Sequence, residues 1–252
     1  MTTTTRRFCC VFAVILPQRL KRLLLRHALG WTVADDAFIG FSYVDAETAT
    51  LQSGSHIGHF NIIRNVRGLQ LGRGAFIKDF NHIFGSSPHG LDGARSFTLG
   101  DGSLVMSRHY FDLTGAVTIG DNAIVGGRGT HAYTHSLLVL TGDDEWVIGE
   151  VAIGDGARVY ANAILVPCAV APGATFAAGA VLTKSYEPEP GERLLIAGNP
   201  AVVVGRKSPP TPSDTRGAQP AALRGAIARR RQGRDRSTAA AWCARSGDRD
   251  RS

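Results

Sequence analysis

The sequence has little of what marks several common protein classes. Its four cysteines, Cys9, Cys10, Cys168 and Cys243, show neither metal-ligand spacing nor a disulfide framework. No metal site is expected, and a reducing cytoplasm is the simplest setting. The apolar run Phe8–Leu16 has only nine residues, against the roughly 20 a spanning helix needs. It follows Arg6-Arg7, as a secretion signal would, but Pro17 and a basic stretch come next and there is no small-x-small cleavage site, so export is not expected. Acid is absent from the first 30 residues, where Arg6, Arg7, Arg19, Lys21, Arg22 and Arg26 give +6. Residues 208–252 hold ten Arg and four Asp, again +6, so the total of +7 leaves −5 for residues 31–207. The ends are basic and the body is mildly acidic. No aromatic-interleaved or helix-turn-helix pattern accompanies the basic ends, so no nucleic-acid partner is expected. A phosphate-cradling Gly-rich loop in a dinucleotide-type βαβ unit is also missing.

What the chain does have is glycine, 30 residues of 252, and a period of six. From Ile153 it reads Ile153-Gly-Asp-Gly-Ala-Arg, Val159-Tyr-Ala-Asn-Ala-Ile, Leu165-Val-Pro-Cys-Ala-Val, Ala171-Pro-Gly-Ala-Thr-Phe, Ala177-Ala-Gly-Ala-Val-Leu. Helices repeat near 3.6 and strands near 2, so this period predicts a β-solenoid. The beat recurs at Ile57 and Ile63, at Leu71, Ile77 and Ile83, at Leu99, Val105 and Phe111, and at Ile119 and Val125. Three hexads make a triangular coil of about 18 residues, which predicts Ile153 stacked on Ala171. Gly58, Gly72, Gly100, Gly120 and Gly154 follow the aliphatic position, as tight corners require.

Three regions depart from the beat. Residues 16–29 predict a helix with Pro17 in its first turn, Leu16, Leu20, Leu23 and Leu24 on one face and Arg19, Arg22 and Arg26 on another. It could cap the open end of the solenoid or rest on an anionic membrane surface. Two breaks, Ser86–Ser96 and His131–Glu150, predict loops thrown out from corners, where sites tend to lie. Residues 208–252 turn to Pro, Arg, Ala and Gly with few large apolar groups, and disorder is expected there, with a short helix near 221–231.

Residues 31–207 resemble the hexapeptide-repeat acyltransferases, most specifically over Ile153–Ala201, with Gly179-Ala-Val-Leu-Thr-Lys184 and Ala197-Gly-Asn-Pro-Ala201. The start, Leu16-Pro-Gln-Arg-Leu-Lys-Arg and then Gly30-Trp31, is similar to the polysaccharide-biosynthesis branch that includes colanic-acid acetyltransferases. The resemblance implies an all-β, left-handed parallel β-helix over 31–207, between an N-terminal helix (1–30) and a basic tail (208–252). It also implies a homotrimer with sites between subunits and a cytoplasmic enzyme, for which the helix 16–29 offers a peripheral contact at the inner face of the membrane. The activity implied is acetyl-CoA-dependent O-acetylation, without a metal, of a small-molecule or lipid-linked sugar of a surface-polysaccharide precursor. Such chemistry needs a general base for the attacking hydroxyl, and histidine titrates near neutrality.

Two of the eight histidines stand out. His135, in Tyr133-Thr-His-Ser136, matches the loop base of sugar O-acetyltransferases. His109, in His109-Tyr-Phe-Asp112, precedes Leu113-Thr-Gly-Ala-Val-Thr-Ile-Gly120 much as the base does in serine acetyltransferases. His56, His59, His82, His89 and His131 are expected to be structural or on the surface. Asp112, Asp143, Asp144 and Glu145 are all candidates to orient the base. By position in the family, Ala163, Ala178, Gly179, Thr183 and Lys184 would line the CoA groove, Lys184 meeting a phosphate. Two positions depart from the family: Val202 stands where a basic residue is usual, and Tyr160 where tryptophan is. The rival readings are a non-catalytic solenoid that binds or scaffolds, and an acyltransferase with an amine or serine-like acceptor.

Overall fold

A computed structural model describes residues 3–87, 92–140 and 143–207. His89 and the tail 208–252 lie outside the described residues.

The six-residue beat becomes a parallel β-helix with three faces. One face stacks the short strands Phe38–Ile39, His56–Ile57, Phe76–Ile77, Leu104–Val105, Ile124–Val125, Arg158–Val159 and Thr175–Phe176, then Arg193–Ala197, and ends on the antiparallel strand Val202–Lys207. A second stacks Ser96–Leu99, Ala116–Ile119, Val151–Ile153 and Cys168–Val170. A third stacks His82–Phe84, Tyr110–Asp112, His131–Tyr133, Ile164–Leu165 and Val181–Leu182. The long strands Tyr43–Leu51 and Ile62–Leu71 bend round the corner between the second and third faces. Inside, Ile57, Ile63, Leu71, Ile77, Ile83, Leu99, Val105, Phe111, Ile119 and Val125 are essentially inaccessible. The repeated aliphatic position is therefore the core, as the beat implies.

The expected 18-residue coil holds at the start, from Ile39 to Ile57, but Ile57 to Ile77 and Val105 to Val125 each take 20, and near the C-terminal end the coil shortens to 17. Ile153 pairs with Val170, not Ala171, and Val159 and Leu165 pair with Phe176 and Leu182. Val166-Pro167 turns the corner in one residue fewer, so Val170, Phe176 and Leu182 point inward. These side chains bury more apolar surface than Ala171 and Ala177 would.

Backbone and side-chain ladders lock the corners. Gly120 lies under the next coil: a Cβ there would be 2.2 Å from Asp155 Oδ1 and 2.7 Å from its backbone N. Close approach, rather than a left-handed φ, is what demands glycine at this position. It lets the Asp155 carboxylate accept the N–H of Asp121 at 2.8 Å, and Asp121 in turn accepts that of Asp101 at 2.7 Å.

The sequence missed one helix. Thr3–Ile15 forms α1, and Gln18–Leu29 forms α2, closed by Gly30 in the left-handed conformation. Both pack on the first coil. Arg6 of α1 donates to the buried Asp45 at 2.7 Å. Lys21 of α2, 2 % exposed, donates from Nζ to the carbonyls of Val14, Ile39 and Gly40 at 3.3, 2.9 and 2.8 Å. Leu25, Ala13 and Trp31 join the core, so the helix pair caps the solenoid. The second break is shorter than expected. His131–Tyr133 is a regular strand, and the insertion is an antiparallel hairpin of His135–Leu140 with Asp143–Ile148. Among the described residues, no helix is long and apolar enough to cross a membrane.

Candidate active site

His109 and His135 end in opposite environments. At the corner entering the third face, Ser42, Asn61, Asn81, His109 and Thr130 occupy equivalent places on successive coils. Each side chain accepts the backbone N–H of the next: Asn61 to Ser42 Oγ at 2.9 Å, Asn81 to Asn61 Oδ1 at 2.8 Å, His109 to Asn81 Oδ1 at 2.9 Å, and Thr130 to His109 Nδ1 at 3.1 Å. His109 is thus a rung of an internal ladder, 2 % exposed. Burial, with the nearby His131 adding to it, pushes its imidazole down to about 4. A base in that position is weak and cannot reach a dissolved acceptor.

His135 leaves the coil where the hairpin begins. Three adjacent coils meet there. Its Nδ1 lies 3.3 Å from Asp112 Oδ1 and 3.0 Å from Thr114 Oγ1. Ser86 Oγ donates to Asp112 Oδ1 at 2.5 Å and lies 2.6 Å from Thr114 Oγ1. A carboxylate only accepts, so Nδ1 carries the proton toward it, and the basic atom of the neutral ring is then Nε2. The Asp112 and His135 side chains are 12 % and 19 % exposed, so the carboxylate is largely desolvated while the imidazole keeps access to the surface. Thr134 fixes the exit of the chain: its Oγ1 donates to Asp112 O at 2.8 Å and accepts Gly115 N–H at 2.8 Å. Of the four acids considered from sequence, Asp112 is the one whose side chain is described, and it lies beside His135. The side chains of Asp143, Asp144 and Glu145 lie outside the described residues. Ser86 and Thr114 were missed. Ser86 opens the first break in the beat, the only sequence signal that it had left the regular coil.

The positions expected to line the CoA groove separate. Ala163 is fully buried, and its carbonyl accepts His131 N–H at 2.8 Å. Ala178 and Gly179 form an exposed corner, with Gly179 at φ +71° and open space where a Cβ would be. Thr183 and Lys184 are exposed at the other edge of the same face, with Lys184 Nζ 5.2 Å above the Tyr186 ring. His131, Ile164 and Val181 are in register across three strands. Continuing that register sets Thr183-Lys184 two coils from Tyr133-Thr134, about 10 Å along the axis at ~4.8 Å per strand. The Cys10 and Cys168 thiols are buried and pushed up to about 12, chiefly by desolvation, so neither is an activated nucleophile. Among the described residues, no group of His, Cys, Asp and Glu could hold a metal ion.

No family model and no curated protein matches the sequence. Several solved structures are similar. A hexapeptide-repeat acetyltransferase from Vibrio cholerae, complexed with acetyl coenzyme A, is 16% identical, with 82% of this chain and 89% of that chain covered and a TM-score of 0.44. A maltose O-acetyltransferase from Clostridium difficile is also 16% identical, covering 82% and 88%, with a TM-score of 0.42. A galactoside acetyltransferase in complex with coenzyme A is 12% identical, covering 81% of each chain, with a TM-score of 0.39. Superpositions this loose leave the fold to the strand pairing above and the chemistry to the side chains.

Proposed function

We propose that the chain is an O-acyltransferase that moves an acetyl group from acetyl-CoA to a sugar hydroxyl, with His135 as general base. The observation that carries this reading is the Asp112–His135 pair, joined to Ser86 and Thr114 across three adjacent coils. A hydroxyl is a poor nucleophile until a positioned base takes its proton as it attacks. Asp112 holds the imidazole in the tautomer that presents a basic Nε2 and stabilises the imidazolium formed after transfer. Buried Asp112 faces a ready hydroxyl relay in Ser86, which keeps its second lone pairs satisfied.

Bound acetyl-CoA supplies the activated acyl group. The open corner at Ala178-Gly179 and the exposed Thr183 and Lys184 fit an extended thiol arm and a phosphate, whereas the Ala163 side chain is internal and offers the groove nothing. Tyr110 and Tyr133 flank Asp112 on the outer surface and give an acceptor amphipathic rings with hydroxyl tips. The homotrimer, the polysaccharide-precursor acceptor, the left-handed coil and the cytoplasmic setting implied by the resemblance belong to the same proposal.

The test is free-thiol release from acetyl-CoA against a panel of sugars, with CoA binding followed by calorimetry. Turnover that His135→Ala abolishes while CoA still binds supports the reading. Full turnover in His135→Ala, or no CoA binding by the wild type, would overturn it.

A further inference from the structure

Capping the solenoid uses only the inner faces of α1 and α2. On α1, Arg6, Cys10 and Ala13 face the first coil. Phe8, Val11, Phe12 and Ile15 face away and are 74%, 59%, 49% and 70% exposed. At 100° per residue these four occupy one arc about 100° wide, the width of an apolar helix stripe that ordinarily packs against something. Leu20 and Leu23 extend the apolar surface onto α2, 53% and 48% exposed. Six large apolar side chains on two adjoining helices exceed the scattered exposure normal for a folded chain.

The charge that the two helices themselves contribute has one sign. Neither helix contains an acid. Arg7, its side chain 53% exposed and its Nε 3.7 Å from Asp45 Oδ2, and exposed Arg19 lie beside the apolar arcs, and exposed His27 lies on the Leu20-Leu23 side of α2. The surface is also rigid: Arg6–Asp45 and the three Lys21 carbonyl bonds tie both helices to the first coil. We infer that α1 and α2 together dock the protein flat on an anionic lipid bilayer, with Phe8, Val11, Phe12, Ile15, Leu20 and Leu23 entering the interface and Arg7 and Arg19 at the headgroups. Amphipathic helices with cationic rims bind anionic bilayers in this way, lying in the interface rather than crossing it. A second copy of the same face would bring Arg7 and Arg19 against their own equivalents, a like-charge contact. Sequence offered residues 16–29 as either a cap or a membrane-facing segment; most of the exposed apolar area lies on α1.

The experiment is flotation of the full-length protein with vesicles of phosphatidylcholine alone or mixed with phosphatidylglycerol, at low and high salt. The expected result is flotation with the mixed vesicles, weakened by salt. Phe8→Glu combined with Phe12→Glu should lower the bound fraction at least tenfold, with an unchanged melting temperature and unchanged elution on gel filtration. Wild type that stays unbound to the mixed vesicles overturns the inference. Wild-type binding by the double variant also overturns it and assigns lipid binding to the Arg-rich residues 208–252. A double variant that loses its oligomeric state shows that the face is covered by another copy, which overturns it too.

Discussion

The two histidines differ in which neighbour each ring nitrogen meets. His109 Nδ1 accepts a backbone N–H inside the prism, so the ring must stay neutral to keep that bond. Its folded value of about 4 lies below the ordinary 6.5. Above pH 6.5 the ring is neutral in both states and contributes full stability. Between 6.5 and 4 the unfolded chain takes up a proton that the fold refuses, so stability falls with pH, by about 3 kcal/mol in all. His109→Asn restores the residue type of the two preceding rungs, Asn61 and Asn81, and removes the titration. The variant is expected to shift its acid-unfolding midpoint downward, read by circular dichroism against pH, with its melting temperature at pH 8 nearly unchanged. His135 is expected to behave in the opposite way. Replacing it with alanine should cost on the order of 10²–10⁴ in kcat and little stability, because its side chain is 19% exposed and lies outside the apolar core. Asp112→Asn should retain CoA affinity and lose acetyl transfer on a similar scale, since an amide can turn its N–H to Nδ1 and reverse the tautomer.

At the scale of elements, the strands were legible and the connections were not. A hexad reports which side chain points inward, because the core rejects polar groups at that position; hence Ile57 through Val125 were placed from sequence. It does not report how many residues a corner consumes, and so Ala171 was put where Val170 belongs. Helix α1 was hidden for a different reason. Its large apolar residues lie on its outer face, and its inner face holds Arg6 with the small Cys10 and Ala13, the reverse of a helix that packs by a stripe of large apolar side chains. The Asp112 pairing was invisible because it joins residues 23 apart through coil geometry, where a sequence sees four equivalent acids. Two predictions belong to this scale. Gly120→Ala should destabilise by about 1–3 kcal/mol, the cost of overpacking, read as a lower melting temperature. Lys21→Met should remove the Nζ donor from the carbonyls of Ile39 and Gly40, which keep Gln18 Nε2 and Ser42 N–H as donors, at roughly 0.5–1.5 kcal/mol per lost bond; hydrogen exchange should then rise first in α1 and α2, with the later coils still protected.

For the whole molecule, the prism serves as a frame that holds separate stretches of chain at set heights. Ser86, Asp112, Thr114 and His135 come from three levels, and Thr183-Lys184 from two further on. One feature governs that last placement: the five-residue step from Leu165 to Val170. A solenoid carries a phase, and any single insertion or deletion advances it for everything downstream. Here the shortened step sets the phase so that Leu182 fills the core and Thr183-Lys184 emerges on the edge that carries His135. Adding one residue after Pro167 would swing Val181 into the core and move Thr183 one place further from that edge. The spacing between the two halves of the proposed site is therefore written in the length of one corner, rather than in any residue that touches a substrate.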